Sequence, residues 1–159
     1  MSATVAVLGF QTARDQAAAD RLAGLNRLLA DRFCAAEAPP GLLDYRVLRS
    51  RDTPQRFCAY WLWRDWSWRE QLFADPTPPL RSFTDSAPEL WAHPPDIGAY
   101  TWDGPPPSHA CERGDTVVLS AGGGPGRLLT EQGGERRYRW AVTTGTDGLD
   151  GAADRWTAL

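Results

Sequence analysis

The stretch Arg56 to Leu72, RFCAYWLWRDWSWREQL, limits what this chain can fold into more than any other, because it holds four of the eight Trp residues and a Tyr. Phe57 to Arg64 reads as a strand, the state that best tolerates large aromatics in series. Asp65 turns it into a helix beginning near Ser67. Within the strand, Phe57, Ala59, Trp61 and Trp63 face one way, and Cys58, Tyr60 and Leu62 face the other. Both faces are apolar, so both sides of the sheet need cover. So many indoles also need a large interior, or a pocket wall, to fill.

The remaining elements follow from hydrophobic period and breakers. Thr4 to Gln11 is a strand apolar on both faces, and Thr12-Ala13-Arg14-Asp15 offers a Thr-x-x-Asp helix start. The helix from about Asp15 to Phe33 buries Ala18, Leu22, Leu25, Leu29 and Phe33, and places Asn26 on its solvated side. Ala38-Pro39-Pro40-Gly41 ends that unit. Leu42 to Arg51 is a second strand, with Leu43, Tyr45, Val47 and Arg49 on one side and Leu42, Asp44, Arg46 and Leu48 on the other. The turn Asp52-Thr53-Pro54-Gln55 joins it to the aromatic strand as a hairpin. A second helical piece, about Leu80 to Ala92, is broken by Pro88, and Asp96 to Trp102 is a fourth strand.

The order β-α-β-β-α-β within residues 4 to 102 is that of a ferredoxin-like sandwich, an antiparallel sheet with helices on one face. The fold class expected is therefore α+β, with residues 1–103 as the ferredoxin-like domain. The other sheet face would be an exposed apolar patch, and a homodimer pairing these faces covers it unless the C-terminal segment does. Pro105-Pro106-Pro107 marks the boundary to an extension over 104–159. That extension is expected to hold about two strands, Asp115 to Ala121 and Arg137 to Thr144, with Gly122-Gly123-Gly124-Pro125-Gly126 as a flexible turn. The tail Asp150 to Trp156 (DGAADRW) echoes Asp15 to Leu22 (DQAAADRL), which leaves a decayed second repeat open.

Charge and cysteine count exclude several classes. A net charge of −3 offers no footprint for nucleic acid or an anionic membrane surface. No segment approaches the roughly 18 apolar residues of a membrane span. Cys34, Cys58 and Cys111 lack the spacing of a disulfide framework and suit reduced thiols in the cytoplasm. Two His residues, His93 and His109, and no CxxC or HxxxH leave no metal site and imply no cofactor. The glycine run lacks the Lys-Ser/Thr of a phosphate loop, and no Gly-x-Ser-x-Gly elbow occurs.

The strand order together with Tyr60-Trp61-Leu62-Trp63-Arg64-Asp65 and the helix behind it resembles the dimeric α/β-barrel superfamily, and within it the antibiotic-biosynthesis-monooxygenase type. That family ends its third strand in a Trp, followed by a small polar pair and a short helix, as Trp63, Arg64-Asp65 and Ser67-Trp68 do here. Two positions depart from it. Leu72 stands where many members have a His, and Ala59 stands where anthrone-oxygenating members have an Asn. The resemblance implies a cofactor-independent monooxygenase acting on a phenolic, polyketide-type aromatic. A redox-neutral cyclase or isomerase of the same fold and a non-catalytic binding protein are the alternatives.

Such an oxygenase must hold a flat ring system, help remove a proton and stabilise the resulting anion. Trp61, Trp63, Trp68 and Trp91, with Tyr45 and Arg81, are the expected substrate-binding residues. His93, Tyr60 and Arg64 are the expected catalytic ones, His93 because an imidazole is the readiest base near neutral pH. Packing alone equally accounts for any single Trp.

Overall fold

The computed structural model of the chain describes residues 3–121, 125–143 and 154–159. Its first half has the expected order: β1 (Val5–Thr12), α1 (Gln16–Phe33), β2 (Leu42–Ser50), β3 (Arg56–Trp63), α2 (Trp66–Ala74), α3 (Pro78–Ser86), a 3₁₀ turn (Ala87–Leu90) and β4 (Asp96–Trp102). Pro88 confines the last turn to 3₁₀ geometry and so ends the helical piece where proline must. The extension then gives β5 (Thr116–Ala121), β6 (Arg127–Glu131), β7 (Arg137–Thr143) and β8 (Asp154–Ala158). Among the described residues it thus holds four strands, where about two were expected. The short β6 and β8 carry charged ends that mask them in the sequence.

All eight strands form one closed antiparallel barrel in the order β1-β3-β2-β8-β5-β7-β6-β4. The ferredoxin-like sheet β4-β1-β3-β2 is one half of it. β2 joins β8 through Leu48 opposite Ala158, and β4 joins β6 through Tyr100 opposite Glu131. The other half runs β8-β5-β7-β6, which is again fourth-first-third-second in its own chain order. The extension therefore repeats the strand order of the first half. The second repeat left open by the sequence is thus present in the strand order, though not in the echo that suggested it. Asp154 to Trp156 lies in β8, whereas Asp15 caps α1, and residues 150–153 lie outside the described ones, as do Gly122 to Gly124 of the glycine turn.

Barrel closure removes the physical ground for a dimer through the sheet face. That face, including Leu8, Cys58, Tyr60, Leu62 and Trp102, is buried against Val117, Leu119, Leu129, Trp140 and Trp156 of the same chain. An eight-stranded barrel is just wide enough for side chains to fill, and here aromatics fill it. Tyr60 accepts a hydrogen bond of 2.9 Å from Trp102 Nε1, and Trp140 Nε1 donates to the Ala110 carbonyl at 3.0 Å. Asp44 of β2 joins strand and linker. It is buried, takes the Ala110 N–H at 2.8 Å and pairs with Arg46 at 3.0 Å, so it ties the linker after β4 to β2.

The outer face of the first half packs against the helices. Asp15 rather than Thr12 caps α1, accepting the Ala18 N–H at 2.7 Å, because Thr12 is committed to pairing with Arg56 in the sheet. Asp65 caps α2 through the Ser67 N–H at 2.9 Å, as the strand-to-helix turn requires. Gly41 (φ +81°) lies against Trp68, where any Cβ would collide with the indole.

The two buried thiols, Cys58 and Cys111, lie in the barrel, and desolvation pushes both up, that of Cys111 to about 12. Cys34 is exposed. Titration with an aromatic disulfide near pH 8 is expected to count one fast thiol in the native protein and three in denaturant. A second fast thiol under native conditions would mean that the barrel opens readily.

Candidate active site

A cleft of about 100 Å³ lies between the outer face of the sheet and the α2–α3 layer. Its floor is made by three strands. Gly9 of β1 pairs directly with Ala59 of β3, and these two small residues leave room that a larger pair would fill. Tyr45 and Trp61 stand beside them. Phe73, Leu80, Phe83 and Thr84 descend from the helices, while Trp91, Pro95 and Ile97 close the side toward β4.

The aromatic wall is ordered by edge and face contacts. Tyr45 meets Trp61 edge-on at 4.5 Å between centroids, and Phe33 backs both. Trp63 lies behind Trp61, parallel within 11° at 5.8 Å, and is fully buried. Trp61 is thus held from behind and offers its remaining surface to the cleft, an arrangement suited to a planar ligand. Burial pushes the Tyr45 phenol far above its ordinary value, so it stays protonated and can serve as a donor but not as a base.

Among the described residues, charge enters the cleft through Arg69. Its guanidinium sits over the rings of Phe73 at 4.5 Å and Trp66 at 4.8 Å. Desolvation lowers its pKa, with Glu70 opposing, and no carboxylate among the described residues forms an ion pair with it. A partly dehydrated cation without a counter-ion is a ready partner for an anion. Among the described residues, neither imidazole nor carboxylate lines the cleft.

Of the residues expected from sequence, the structure brings Tyr45, Trp61 and Trp91 together here. Trp63 supports the wall without reaching the cavity. Tyr60 points the other way, into the barrel, as alternation along β3 requires. Trp68 lines a separate, more open hollow with Pro39 and Pro40. Arg64 is exposed, and Arg81 is turned outward to Asp75 and the Pro76 carbonyl. His93 is exposed, with Nδ1 3.0 Å from the Pro94 carbonyl oxygen, and His109 lies 3.2 Å from Arg46 beyond the barrel end. No group of three metal-ligating side chains occurs among the described residues. No helix there is long and apolar enough to cross a membrane.

Sequence reasoning missed Gln11, Asn26, Arg69, Phe73 and Phe83. Asn26 is fully buried rather than solvated: it faces the sheet and bonds to Gln11 across the α1–β1 junction. The signal was available, since Leu22, Asn26, Leu29 and Phe33 fall on one stripe at spacings of four, three and four. A polar residue inside an apolar stripe marks a buried hydrogen-bond partner.

No protein-family model matches the chain, and no curated protein does. Solved structures do match. A Nitrosomonas europaea protein described as belonging with antibiotic biosynthesis monooxygenases superposes with a TM-score of 0.58 at 15% identity, over 67% of this chain and 97% of that one. One from Chloroflexus aurantiacus with the same kind of description gives 0.53 at 15%, over 66% and 98%. SnoaB from Streptomyces nogalater, described as a cofactor-independent oxygenase, gives 0.52 at 18%, over 65% and 97%. The chain therefore carries the whole fold of the antibiotic-biosynthesis-monooxygenase proteins, and about a third of it lies outside that fold.

Proposed function

We propose that the chain, built on the antibiotic-biosynthesis-monooxygenase fold, is a cofactor-independent monooxygenase acting on a flat phenolic aromatic of the polyketide type. The observation that carries this reading is the guanidinium of Arg69, without an ion-pair partner among the described residues, at the edge of a cleft walled mainly by aromatic and aliphatic side chains. The description of SnoaB supports the reaction type.

The chemistry needs little from the protein. A phenolic methylene compound such as a hydroxyanthrone ionises to a delocalised anion that can itself reduce oxygen. The methylene carbon becomes a carbonyl carrying one atom of the oxygen molecule, and the other leaves as water. Arg69 lowers the energy of the anion by Coulomb attraction in a partly dehydrated site. Trp61, Phe73 and Phe83 hold the ring plane and exclude water, and the neutral Tyr45 hydroxyl is a donor to a developing oxyanion. Without an imidazole or carboxylate in the cleft, the proton passes to solvent from a substrate whose acidity the site raises.

That missing base also favours a second reading, in which the cleft binds such a compound without transforming it. Oxygen uptake separates the two. With a hydroxyanthrone, one mole of oxygen consumed per mole of quinone formed is expected, and turnover should vanish under strict anaerobiosis. Turnover that persists without oxygen would point to a cyclase or isomerase. Tight binding with no acceleration of oxygen uptake would leave a binding protein.

A further inference from the structure

The cleft has one polar corner besides Arg69, and its hydrogen bonds determine which atom there is unused. Trp91 Nε1 can only donate, and it lies 3.2 Å from Gln11 Oε1. The Leu22 carbonyl can only accept, and it takes an N–H of Asn26 at 3.0 Å. Between these fixed ends the two amides meet head to tail. Gln11 Nε2 donates to Asn26 Oδ1 at 3.3 Å, and Asn26 Nδ2 donates to Gln11 Oε1 at 3.4 Å. Flipping either amide alone would oppose like groups between the two residues. Flipping both would set the Gln11 amide nitrogen against the indole N–H and the Asn26 oxygen against the Leu22 carbonyl. The orientation of both side chains is therefore determined.

Counting then isolates one hydrogen. Gln11 Oε1 accepts two bonds and has no lone pair to spare, and both N–H groups of Asn26 are used. Gln11 Nε2 has two N–H groups and spends one on Asn26. The second has no acceptor among the described residues, although Gln11 is only 5% exposed and lines the cleft. A buried donor without a partner is costly to leave unmade and rewards a ligand that supplies an acceptor.

We infer that Gln11 is the residue by which the cleft recognises oxygen: its free N–H donates to a carbonyl or phenolate oxygen on a planar ligand. Asn26 and Trp91 are positioning residues that aim it. Resting on the reading of the cleft as a binding site for flat aromatics, this assigns the specificity for an oxygenated ring system to β1 rather than to β3, where Ala59 offers no polar atom. The amide is neutral, so it reads the oxygen without requiring charge, whereas Arg69 responds to the anion.

The test pairs two ligands that share three fused rings and a sulfonate and differ only in two carbonyl oxygens, anthraquinone-2-sulfonate and anthracene-2-sulfonate. Calorimetric titration of the unmodified full chain is expected to show the quinone binding about tenfold more tightly, the gain of one buried hydrogen bond. Gln11→Leu should reduce that ratio to within twofold. Because Gln11→Leu strands two neighbouring donors and can fail to fold, the ligand pair on unmodified protein is read first, and it can overturn the assignment without the variant. Equal affinities there would overturn the role of Gln11 and leave the cleft reading standing. Binding of neither compound would overturn both. A quinone preference that survives in folded Gln11→Leu would also overturn it, because another donor would then be the one reading the oxygen.

Discussion

A chain cut after Asp103 is expected to lose its native state, although the piece that remains is the whole ferredoxin-like unit. The cut would bare Leu8, Leu48, Tyr60, Leu62, Tyr100 and Trp102, which the intact chain buries almost completely. Each large apolar side chain is worth about 1.5–3 kcal/mol when buried, and a domain's whole margin is about 5–15 kcal/mol. Light scattering with near-ultraviolet circular dichroism should find the fragment aggregated or paired through the bared face. A soluble, cooperatively folded single fragment would refute the account of the barrel as one structural unit. The same logic at one position makes Trp140→Ala cost about 3–5 kcal/mol in urea unfolding, since this indole packs against Tyr60 and Trp102 and holds the Ala110 carbonyl.

Replacing Arg69 with Gln is expected to slow oxygen-dependent turnover of a hydroxyanthrone about 10- to 100-fold, or about 1.4–2.8 kcal/mol of lost anion stabilisation. The loss should fall mainly on kcat, because the charge develops after the neutral phenol has bound. Arg69→Lys should recover part of it, keeping the charge while losing the flat stacking on Phe73 and Trp66. Near-ultraviolet circular dichroism distinguishes this from damage to the fold. A rate in Arg69→Gln within twofold of the unmodified protein would remove Arg69 from the mechanism.

The first half of the fold was legible because its signals are local. Apolar stretches, proline breaks and the Asp65 turn each act within a few residues, and every strand and helix they indicated is present. The extension was harder. β6 (RLLTE) and β8 (DRWTA) are short and open on charged residues, so nothing in them competes with a loop reading until the neighbouring strands are in place. Barrel closure is a pairing of strands distant in the chain, Leu48 with Ala158 and Tyr100 with Glu131, and no periodicity reports such a pairing. The site was legible where it depends on alternation, as with Tyr45 and Trp61. It was not legible where it depends on which helix leans over the sheet, as with Arg69, Phe73 and Phe83. Tyr60 shows the limit plainly: its position on β3 was foreseeable, but which face of β3 carried the cleft was not.

The repeated strand order has a further consequence for how this barrel persists. Where two copies of a four-stranded unit must meet to close a ring, closure is a second-order event, and dilution pulls it apart. Here both half-rings lie on one polypeptide, so each faces the other at a fixed local concentration set by the linker, whatever the abundance of the protein. The tether also frees the two halves from having to match. A half-ring that meets its own copy must serve as both wall and workplace. Among the described residues, β5 to β8 contribute wall, and the helices, the cleft and its polar corner lie on the side of β1 to β4.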